Sequence, residues 1–492
     1  MDPSIEKILL VVSIILFICI LAGKISFKIG VPTAVLFLFV GMLAGSEGIG
    51  GIEFDKPAVV QFIGIIALNF ILFSGGFETD WSYVRPVIGP SVLLSIFGVL
   101  FTAIILGIFV WLVTDFTLYE GLLLGSIVSS TDSAAVFSIL RSKKLALKGH
   151  LRSTLEFESG SNDPMASILT IIFISLIINP AGNIWSIVPL FLQQFCIGGV
   201  LGLLFGVAGK FIINKIQLDY DGLYPLFAIT LMLLTYSATS SLKGNGFLAV
   251  YLCALYLGNQ ELLHKRTIMK MFDGLAWLMQ IILFTLLGLL VFPSHIIPVI
   301  GIGVLISVFL ILVARPVAVY LCLLPFKMKG RERLFISWVG LRGAASIVFA
   351  TFPFMASLEK ADTIFNIVFF ISFTSVLLQG ATIPAVAKWL HVALPARIKP
   401  LTPVDILLSE PVNTAMAEVI VSDNSPAVGK KIIDLEFPEN VRIALLNRRG
   451  KYIIPHGQTE IMPQDKLILI ATSKITLDSI IENLSVVKSS EI

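Results

Sequence analysis

Long apolar stretches fill the first ~390 of the 492 residues, and they restrict the possible folds more than any other feature. A helix needs about 20 mostly apolar residues to cross a bilayer. By that criterion thirteen stretches are candidate spans: 7–22, 31–48, 58–76, 87–114, 119–140, 154–178, 186–213, 223–241, 246–260, 271–292, 297–325, 333–357 and 364–390. The chain is therefore predicted to be a polytopic all-α membrane protein.

The composition excludes several classes of protein. Only 14% of the residues are charged and 56% are hydrophobic, whereas a soluble domain carries about 25% charged residues. A soluble cytosolic enzyme, a disordered chain and a free nucleic-acid binder are excluded on this ground. The net charge of +3 gives no reason to expect a nucleic acid or another polyanion as partner. The four cysteines lie singly inside apolar runs, which favours buried hydrophobic side chains over disulfides or metal ligands.

The distribution of basic residues predicts the orientation. Lysine and arginine collect in loops on the cytoplasmic side of a membrane. One set of alternate loops holds 17 of them, and the other set, with the N-terminus, holds 4. This bias favours an odd number of spans in the cell (inner) membrane, with the N-terminus outside and the C-terminus in the cytoplasm.

The last ~100 residues have a different composition, and they divide the chain into three parts. Residues 1–395 form the predicted membrane domain, and 396–415, with Pro400 and Pro403, form a linker. Residues 416–492 are predicted to form a small cytoplasmic α/β domain. Strands are expected at 416–421, 442–455 (a hairpin around Arg449-Gly450) and 465–472, and a helix at 476–484.

The sixth stretch carries acidic residues inside apolar sequence, where each charge is costly and suggests a function. Glu158 and Asn162 are four residues apart, as are Ser159 and Asp163, so all four share one stripe of a helix. Carboxylate, amide and hydroxyl oxygens are hard ligands suited to a small cation. The alternative is a helix end at the membrane interface with solvated acids.

The fifth stretch is interrupted by SSTDS at 129–133, which forms helices poorly. Backbone that is not helical at membrane depth is tolerated only where it is buried in protein or lines a cavity, and broken helices bind ions in transporters. Thr131 and Asp132 are therefore predicted to complete the site of the sixth stretch. The alternative is a Ser/Thr-rich kink without function.

Arg342 lies in WVGLRGAASIVFA, in the penultimate stretch of the second half. The fifth stretch, SIVSSTDSAAVFS, has the same place in the first half, which predicts two inverted repeats of six helices with broken helices that cross. Since a buried arginine needs a carboxylate partner, we expect Arg342 to pair with Glu158 and to leave Asp163 able to titrate. Arg315 is expected to be structural, snorkelling or bracing a loop.

These residues predict the exchange of a monovalent cation for a proton at one site. Asp163 would hold either a proton or the cation, and Ser159, Asp132 and the main-chain oxygens around Thr131 would complete the coordination. Asn162 cannot ionise, so a single titrating acid predicts one proton per cation and no net movement of charge.

The motifs resemble those of the NhaP-type cation/proton antiporters, relatives of the animal sodium/proton exchangers. Thr131-Asp132 is similar to the family's unwound-helix motif, and Glu158-Ser159 with Asn162-Asp163 resembles its ESxxND signature. GLRGA at 340–344 is similar to its arginine motif, whose arginine pairs with the glutamate of the signature, and GNGFLAVYLCALYLGN at 244–259 is similar to a further segment. The resemblance implies a homodimer that works by elevator-like alternating access.

The strings SSTDSAAVFSIL and ESGSNDPMA are most similar to the potassium/proton antiporter subgroup. The tail resembles a TrkA-C (RCK C-terminal) domain, which is common on potassium transport proteins. Such domains dimerise and some bind a cyclic dinucleotide, so the tail is either a ligand-binding regulator or an assembly module. No other cofactor is expected.

The sequence bears on four other functions. A sodium or lithium/proton antiporter with the same mechanism stays open, because spacing does not fix selectivity. A cation channel gated by the tail is a weaker alternative, since no TVGYG-like filter occurs in the sequence. Neither HExxH nor GxxxxGK[ST] occurs, which argues against an intramembrane metalloenzyme and an ATP-driven pump, so a secondary transporter rather than an enzyme is predicted.

Overall fold

The computed structural model describes residues 5–29, 32–179, 187–395, 415–423, 425–435, 437–438, 441–448, 451–471, 479–481 and 487–488. The chain divides into two compact units, Met1–Ala396 and Arg397–Ile492. The linker predicted at 396–415 lies almost wholly outside the described residues, and so does the hairpin turn at Arg449-Gly450.

The first unit is helical. In chain order its helices are α1 (Ile5–Ile29), α2 (Thr33–Ala44), α3 (Pro57–Glu78), α4 (Trp81–Val113), α5 (Leu118–Ile127), α6 (Ser133–Ser142), α7 (Leu151–Ile178), α8 (Ile187–Lys215), α9 (Leu223–Ser241), α10 (Gly246–Gly258), α11 (Lys265–Leu290), α12 (Pro293–Leu323), α13 (Gly330–Trp338), α14 (Ala344–Met355) and α15 (Ala361–Trp389). In the described part of the chain, nine helices are long and apolar enough to cross a membrane, namely α1, α3, α4, α7, α8, α9, α11, α12 and α15. Every one of the thirteen predicted stretches contains a helix or a pair of helices. The prediction of a polytopic all-α membrane domain is confirmed, and the number of crossings stays a prediction.

Two long helices, α4 and α12, share an unusual pattern of irregularities. Each starts with one short α-helical turn followed by a 3₁₀ turn that contains a proline, Pro86 in α4 and Pro298 in α12. Each then has a π-helical turn, at Leu94–Gly98 and at Leu310–Ala314. The two helices are the fourth and eleventh predicted stretches, seven apart, so this recurrence favours the predicted repeat of six-helix halves.

The fifth and twelfth stretches are both broken helices. α5 and α6 are separated by residues 128–132, and α13 and α14 by residues 339–343. The two breaks touch, because the amide of Asp132 donates a hydrogen bond of 2.8 Å to the carbonyl of Leu341. The backbone polar groups that the breaks leave outside the helices are thereby partly satisfied by each other.

A small sheet closes the first unit. Strand β1 (Leu145–Leu147) lies in the connection between α6 and α7, and β2 (Ala393–Pro395) follows α15. The two pair antiparallel, with Leu145 opposite Pro395 and Leu147 opposite Ala393. The chain that leaves the last helix is therefore tied to the loop between the two helices that carry the predicted site.

The second unit contains an antiparallel sheet. Its strands are β3 (Ala415–Ile420), β4 (Val441–Arg448), β5 (Lys451–Ile453), β6 (Lys466–Ala471) and β7 (Val487–Lys488), in the order β5-β4-β6-β3-β7. The buried side chains of Val419, Leu446 and Leu467 belong to its core. Arg448 donates two hydrogen bonds, of 2.9 and 2.8 Å, to the buried carboxylate of Asp465, and these raise the pKa of the Arg448 guanidinium.

The sequence located these strands correctly. Those predicted at 416–421, 442–455 and 465–472 are present. The helix predicted at 476–484 falls on described residues only at 479–481, which are helical.

Candidate functional site

The first break places an acid at the start of a half-helix. Asp132 is the N-cap of α6, and its Oδ1 accepts a hydrogen bond of 3.1 Å from the amide of Ala135. Ser129, Ser130, Thr131 and Asp132 leave the helix because their side chains compete with the backbone for hydrogen bonds. A carboxylate at a helix N-terminus interacts favourably with the helix dipole, which offsets part of the cost of placing Asp132 in an apolar region.

Helix α7 presents its predicted stripe to this break. Ser159 Oγ donates to the carbonyl of Thr131 over 2.8 Å and accepts from the amide of Ser133 over 2.9 Å. Asn162 Nδ2 donates to Thr131 Oγ1 over 2.6 Å. The structure therefore brings Ser159 and Asn162 into contact with Thr131, and Asp132 is the next residue of the same break.

Asp163 is bound by a residue of the break that the sequence had not singled out as a ligand. Ser130 Oγ donates a hydrogen bond to Asp163 Oδ1. Ser130 is buried, whereas Asp163 is partly exposed. Ser130 lay inside the polar run that marked the break, so the signal was present. The sequence does not show which of the hydroxyl groups in this run faces α7.

The site is rich in oxygen atoms. Near Thr131 lie the carboxylates of Asp132 and Asp163, the hydroxyl of Ser159 and the side-chain carbonyl of Asn162. Asn162 is fully buried, and its Oδ1 has no hydrogen-bond partner among the described residues. Oxygen donors of this kind suit hard cations.

The second break contributes the positively charged guanidinium of Arg342, which contacts the backbone of the first break. Arg342 Nη1 donates to the carbonyls of Ser129 and Ser130 over 2.7 and 2.8 Å. These carbonyls follow the C-terminus of α5, where carbonyl groups lack partners within the helix and the dipole favours positive charge. Arg342 is 1% exposed, so these carbonyls take the place of water as partners of its guanidinium.

The predicted pairing of Glu158 with Arg342 is wrong. Glu158 forms its ion pair with Arg315, through Oε1 and Nη2, and both side chains are buried. Arg342 is occupied at the carbonyls of the first break, while Arg315 projects from the middle of α12 and needs a counter-charge. The expectation that Arg315 snorkels or braces a loop is corrected for the same reason, since its side chain is 2% exposed.

Glycines let the second break come close to the site. A Cβ atom at Gly343 would lie 2.4 Å from Asp132 Oδ2, and one at Gly340 would lie 2.9 Å from Arg315 Nε. Real Cβ atoms essentially never approach other atoms within 3.0 Å, so a side chain at Gly343 would displace Asp132. The two glycines of GLRGA therefore have a steric role beside Arg342.

Two further polar residues support the second break, and sequence reasoning missed both. Ser375 and Gln379 bound a π-helical turn of α15 and are buried. Gln379 Nε2 donates to the carbonyl of Trp338 over 2.8 Å, and Ser375 Oγ accepts from the amide of Arg342 over 3.2 Å. Their polarity inside an apolar stretch was the available signal.

Comparison with known proteins identifies two families along the chain. Residues 12–389 match the family model described as sodium/hydrogen exchanger, transmembrane, and residues 416–483 match the TrkA-C domain. The K(+)/H(+) antiporter NhaP of Alkalimonas amylolytica is 38% identical over 474 residues, which are 95% of this chain and 81% of that protein. The K(+)/H(+) antiporter NhaP2 of Shewanella sp. (strain ANA-3) is 36% identical over 96% of this chain and 82% of its own length.

A solved structure agrees with these matches. The sodium proton antiporter MjNhaP1 from Methanocaldococcus jannaschii superposes with a TM-score of 0.68 and 25% sequence identity. The superposition covers 77% of this chain and 97% of that chain. The helical unit thus has the fold of a known antiporter.

Proposed function

The chain belongs to the sodium/hydrogen exchanger family of cation/proton antiporters, which are secondary transporters and not enzymes, and we propose that it exchanges K⁺ for H⁺, one for one, at Asp163. The observation that carries this proposal is the position of Asp163, which is bound by Ser130 where the breaks of the two helices touch. The potassium assignment is supported by the names of the relatives from Alkalimonas amylolytica and Shewanella.

Transport follows from competition for one carboxylate. A protonated Asp163 is neutral and has no charge to offer a cation, whereas the ionised carboxylate attracts K⁺. The cation would be held by Asp163, Ser159 and Thr131, with Asp132 adding negative charge beside them. Because only one of the two ligands can be bound at a time, alternating access of the site to the two sides of the membrane converts a proton gradient into a cation gradient.

The stoichiometry depends on Asn162. Its side chain cannot ionise, and it lies beside Asp163 with Nδ2 committed to Thr131. In this proposal Asp132, the N-cap of α6, keeps one protonation state through the cycle. One group then titrates in each cycle, and one proton replaces one K⁺ without net charge transfer. An imposed membrane potential should leave the rate at saturating substrate unchanged.

The direct test is dissipation of a pH gradient in everted vesicles after addition of potassium, sodium or lithium salts. Wild-type protein should respond most strongly to potassium, and Asp163→Asn should abolish the response at normal expression. Glu156→Gln is the matched control, because Glu156 lies on the same helix in an exposed pair with Arg152. Retained exchange in Asp163→Asn would remove Asp163 from the role proposed here.

Sodium is the second candidate substrate. The structural match is named a sodium proton antiporter, and a probable Na(+)/H(+) antiporter of the same organism is 30% identical over 70% of this chain. The same residues would bind Na⁺ in a smaller cavity. A larger response to sodium than to potassium in the vesicle assay would decide for this alternative.

The placement of the protein in the membrane is also part of the proposal. The loop charges support a location in the cell membrane with the N-terminus outside and the TrkA-C domain in the cytoplasm. The resemblance to the family supports a homodimer. Reporter fusions at the C-terminus, one fluorescent only in the cytoplasm and one active only outside it, test the orientation. Crosslinking in membranes tests the dimer.

The TrkA-C domain is proposed to regulate exchange in response to a ligand, for which a cyclic dinucleotide is the first candidate. Its match to a domain family supports this role. Exchange by the full-length protein should change when the dinucleotide is added on the cytoplasmic side. If it does not, an assembly role for the domain is favoured.

A further inference from the structure

A chain of hydrogen bonds connects the last helix to the carboxylate of Asp163. It begins at the π-helical turn of α15, where Ser375 Oγ donates to Gln379 Oε1 over 2.5 Å. A π-helical turn adds one residue to a helical turn and re-aims side chains, and such turns occur frequently at functional sites. This turn directs both polar side chains at the break between α13 and α14.

The two side chains hold that break at two points. Gln379 binds the carbonyl of Trp338, the last residue of α13, and Ser375 binds the amide of Arg342. Ser375 and Gln379 are 1% and 3% exposed. Backbone outside a helix needs partners of this kind, and here they come from side chains whose own polar atoms are used in the same small network.

Arg342 connects Ser375 and Gln379 to the first break. Its guanidinium binds the carbonyl of Ser130, and the hydroxyl of the same serine binds Asp163. Ser130 thus contacts Arg342 through its main chain and Asp163 through its side chain. The path runs Gln379, Ser375, Arg342, Ser130 and Asp163, and its hydrogen bonds are joined through the covalent frame of Arg342 and of Ser130.

We infer that Ser375 and Gln379 are positioning residues for cation binding, which act through Arg342 on Ser130 and so fix the oxygen atoms around Asp163. Neither contacts Asp163 itself. A site that selects a cation needs its ligands held within about 0.5 Å of the productive geometry by residues packed behind them. This inference rests on the proposed function of Asp163 and adds the residues that keep its site in shape.

The variants are chosen so that the protein still folds. Ser375→Ala removes one oxygen atom, and Gln379→Leu keeps most of the side-chain volume while removing both hydrogen bonds. Ser375→Thr retains the hydroxyl group and is therefore expected to keep the wild-type KM for K⁺. Ser372→Ala is the matched control, because Ser372 lies one turn earlier in α15, is equally buried, and its hydroxyl has no partner among the described residues.

The measurement is potassium-dependent exchange by the full-length protein in proteoliposomes at fixed pH, with KM and maximal rate determined separately. Ser375→Ala and Gln379→Leu should each raise KM for K⁺ about fivefold, with the maximal rate within about twofold of wild type. Their double variant should also lie near fivefold, because both act in one chain. Ser375→Thr and Ser372→Ala should match wild type.

Several outcomes would overturn the inference. Unchanged KM in Ser375→Ala is one, and so is a loss confined to the amount of folded protein. A roughly 25-fold rise in the double variant would mean that the two residues act independently. If wild-type protein shows no exchange, the proposed function fails instead, and stabilisation of the purified variants by K⁺ against heating still tests the positioning role. If Gln379→Leu fails to fold, Ser375→Ala decides.

Discussion

The break at 128–132 reads VSSTD, and the break at 339–343 reads VGLRG. The first offers three hydroxyl groups and a carboxylate and contains no glycine. The second offers one guanidinium and two glycines. Although the two lie at matching places in the predicted halves and touch each other in the structure, one provides oxygen atoms to α7 and the other provides a cation and bare backbone.

The comparison shows that two breaks with similar backbones have different roles. Each charged side chain neutralises a half-helix end of opposite sign, Asp132 at the N-terminus of α6 and Arg342 beyond the C-terminus of α5. The first break can therefore place its oxygen atoms at the site, while the second holds the first in position. This division requires that Glu158 be neutralised elsewhere, and Arg315 does so.

The largest effect is expected from breaking that ion pair. Arg315→Met leaves Glu158 as an unpaired buried charge and should lower the free energy of unfolding by about 3–5 kcal/mol, seen as a lower midpoint in thermal unfolding of the purified protein. Adding Glu158→Gln should restore most of the loss, because no buried charge is then left without a partner.

The arginine of the second break provides the contrast. If Glu158 were the partner of Arg342, Arg342→Met would be the variant that Glu158→Gln rescues. We expect no rescue there, since the groups left without a donor are the carbonyls of Ser129 and Ser130. Rescue of Arg342→Met equal to that of Arg315→Met would contradict the division of roles between the breaks.

Removal of Arg342 should have the next largest effect. Arg342→Ala loses two hydrogen bonds made by a charged group, and at about 1.5 kcal/mol each, the lower end of the range for such bonds, we expect a destabilisation of about 3 kcal/mol and an exchange rate below a tenth of wild type. Arg331→Ala is the control, as Arg331 lies exposed in the first half of the same broken helix. A stable, active Arg342→Ala protein would show that the first break keeps its shape alone.

A smaller effect is expected at the glycine that faces the acid. Gly343→Ala places a Cβ 2.4 Å from Asp132 Oδ2, which forces a shift that costs about 1–3 kcal/mol and moves Asp132. Exchange should fall at least tenfold. Gly75→Ala in α3, where an added Cβ meets nothing within 4 Å, should leave exchange and thermal stability unchanged. Normal exchange by Gly343→Ala would mean that the position of Asp132 is not critical.

The sequence indicated the first break better than the second, for physical reasons. A run of Ser and Thr with an acid inside apolar sequence is a local signal, because these side chains compete with helical hydrogen bonds. The stripe on α7 was likewise local, since side chains four residues apart share a helix face. VGLRG contains no such run, and its break was inferred only from its likeness to the first.

The partners of the arginines could not be predicted from local signals. Whether Glu158 meets Arg315 or Arg342 depends on how α12 and the second break pack against α7, and side chains distant in sequence carry no spacing that encodes it. The π-helical turn of α15 is a comparable case. The turn directs the side chains of Ser375 and Gln379 toward the second break. However, the sequence of an apolar helix with two polar residues does not show whether a π-helical turn is present.

The smallest change in stability is expected at Asp132, and it separates the two tasks of that residue. Asn is as good an N-cap as Asp, so Asp132→Asn should alter the free energy of unfolding by less than about 0.5 kcal/mol, whereas Asp132→Ala should cost about 1 kcal/mol. Exchange should nevertheless fall about tenfold or more in both variants, because the negative charge beside the site is lost in each. Thermal unfolding and proteoliposome exchange on the same preparations measure the two effects. If Asp132→Asn exchanges at the wild-type rate, Asp132 serves only as a helix cap. Cation binding at the first break would then depend on Ser130, Thr131 and Asp163.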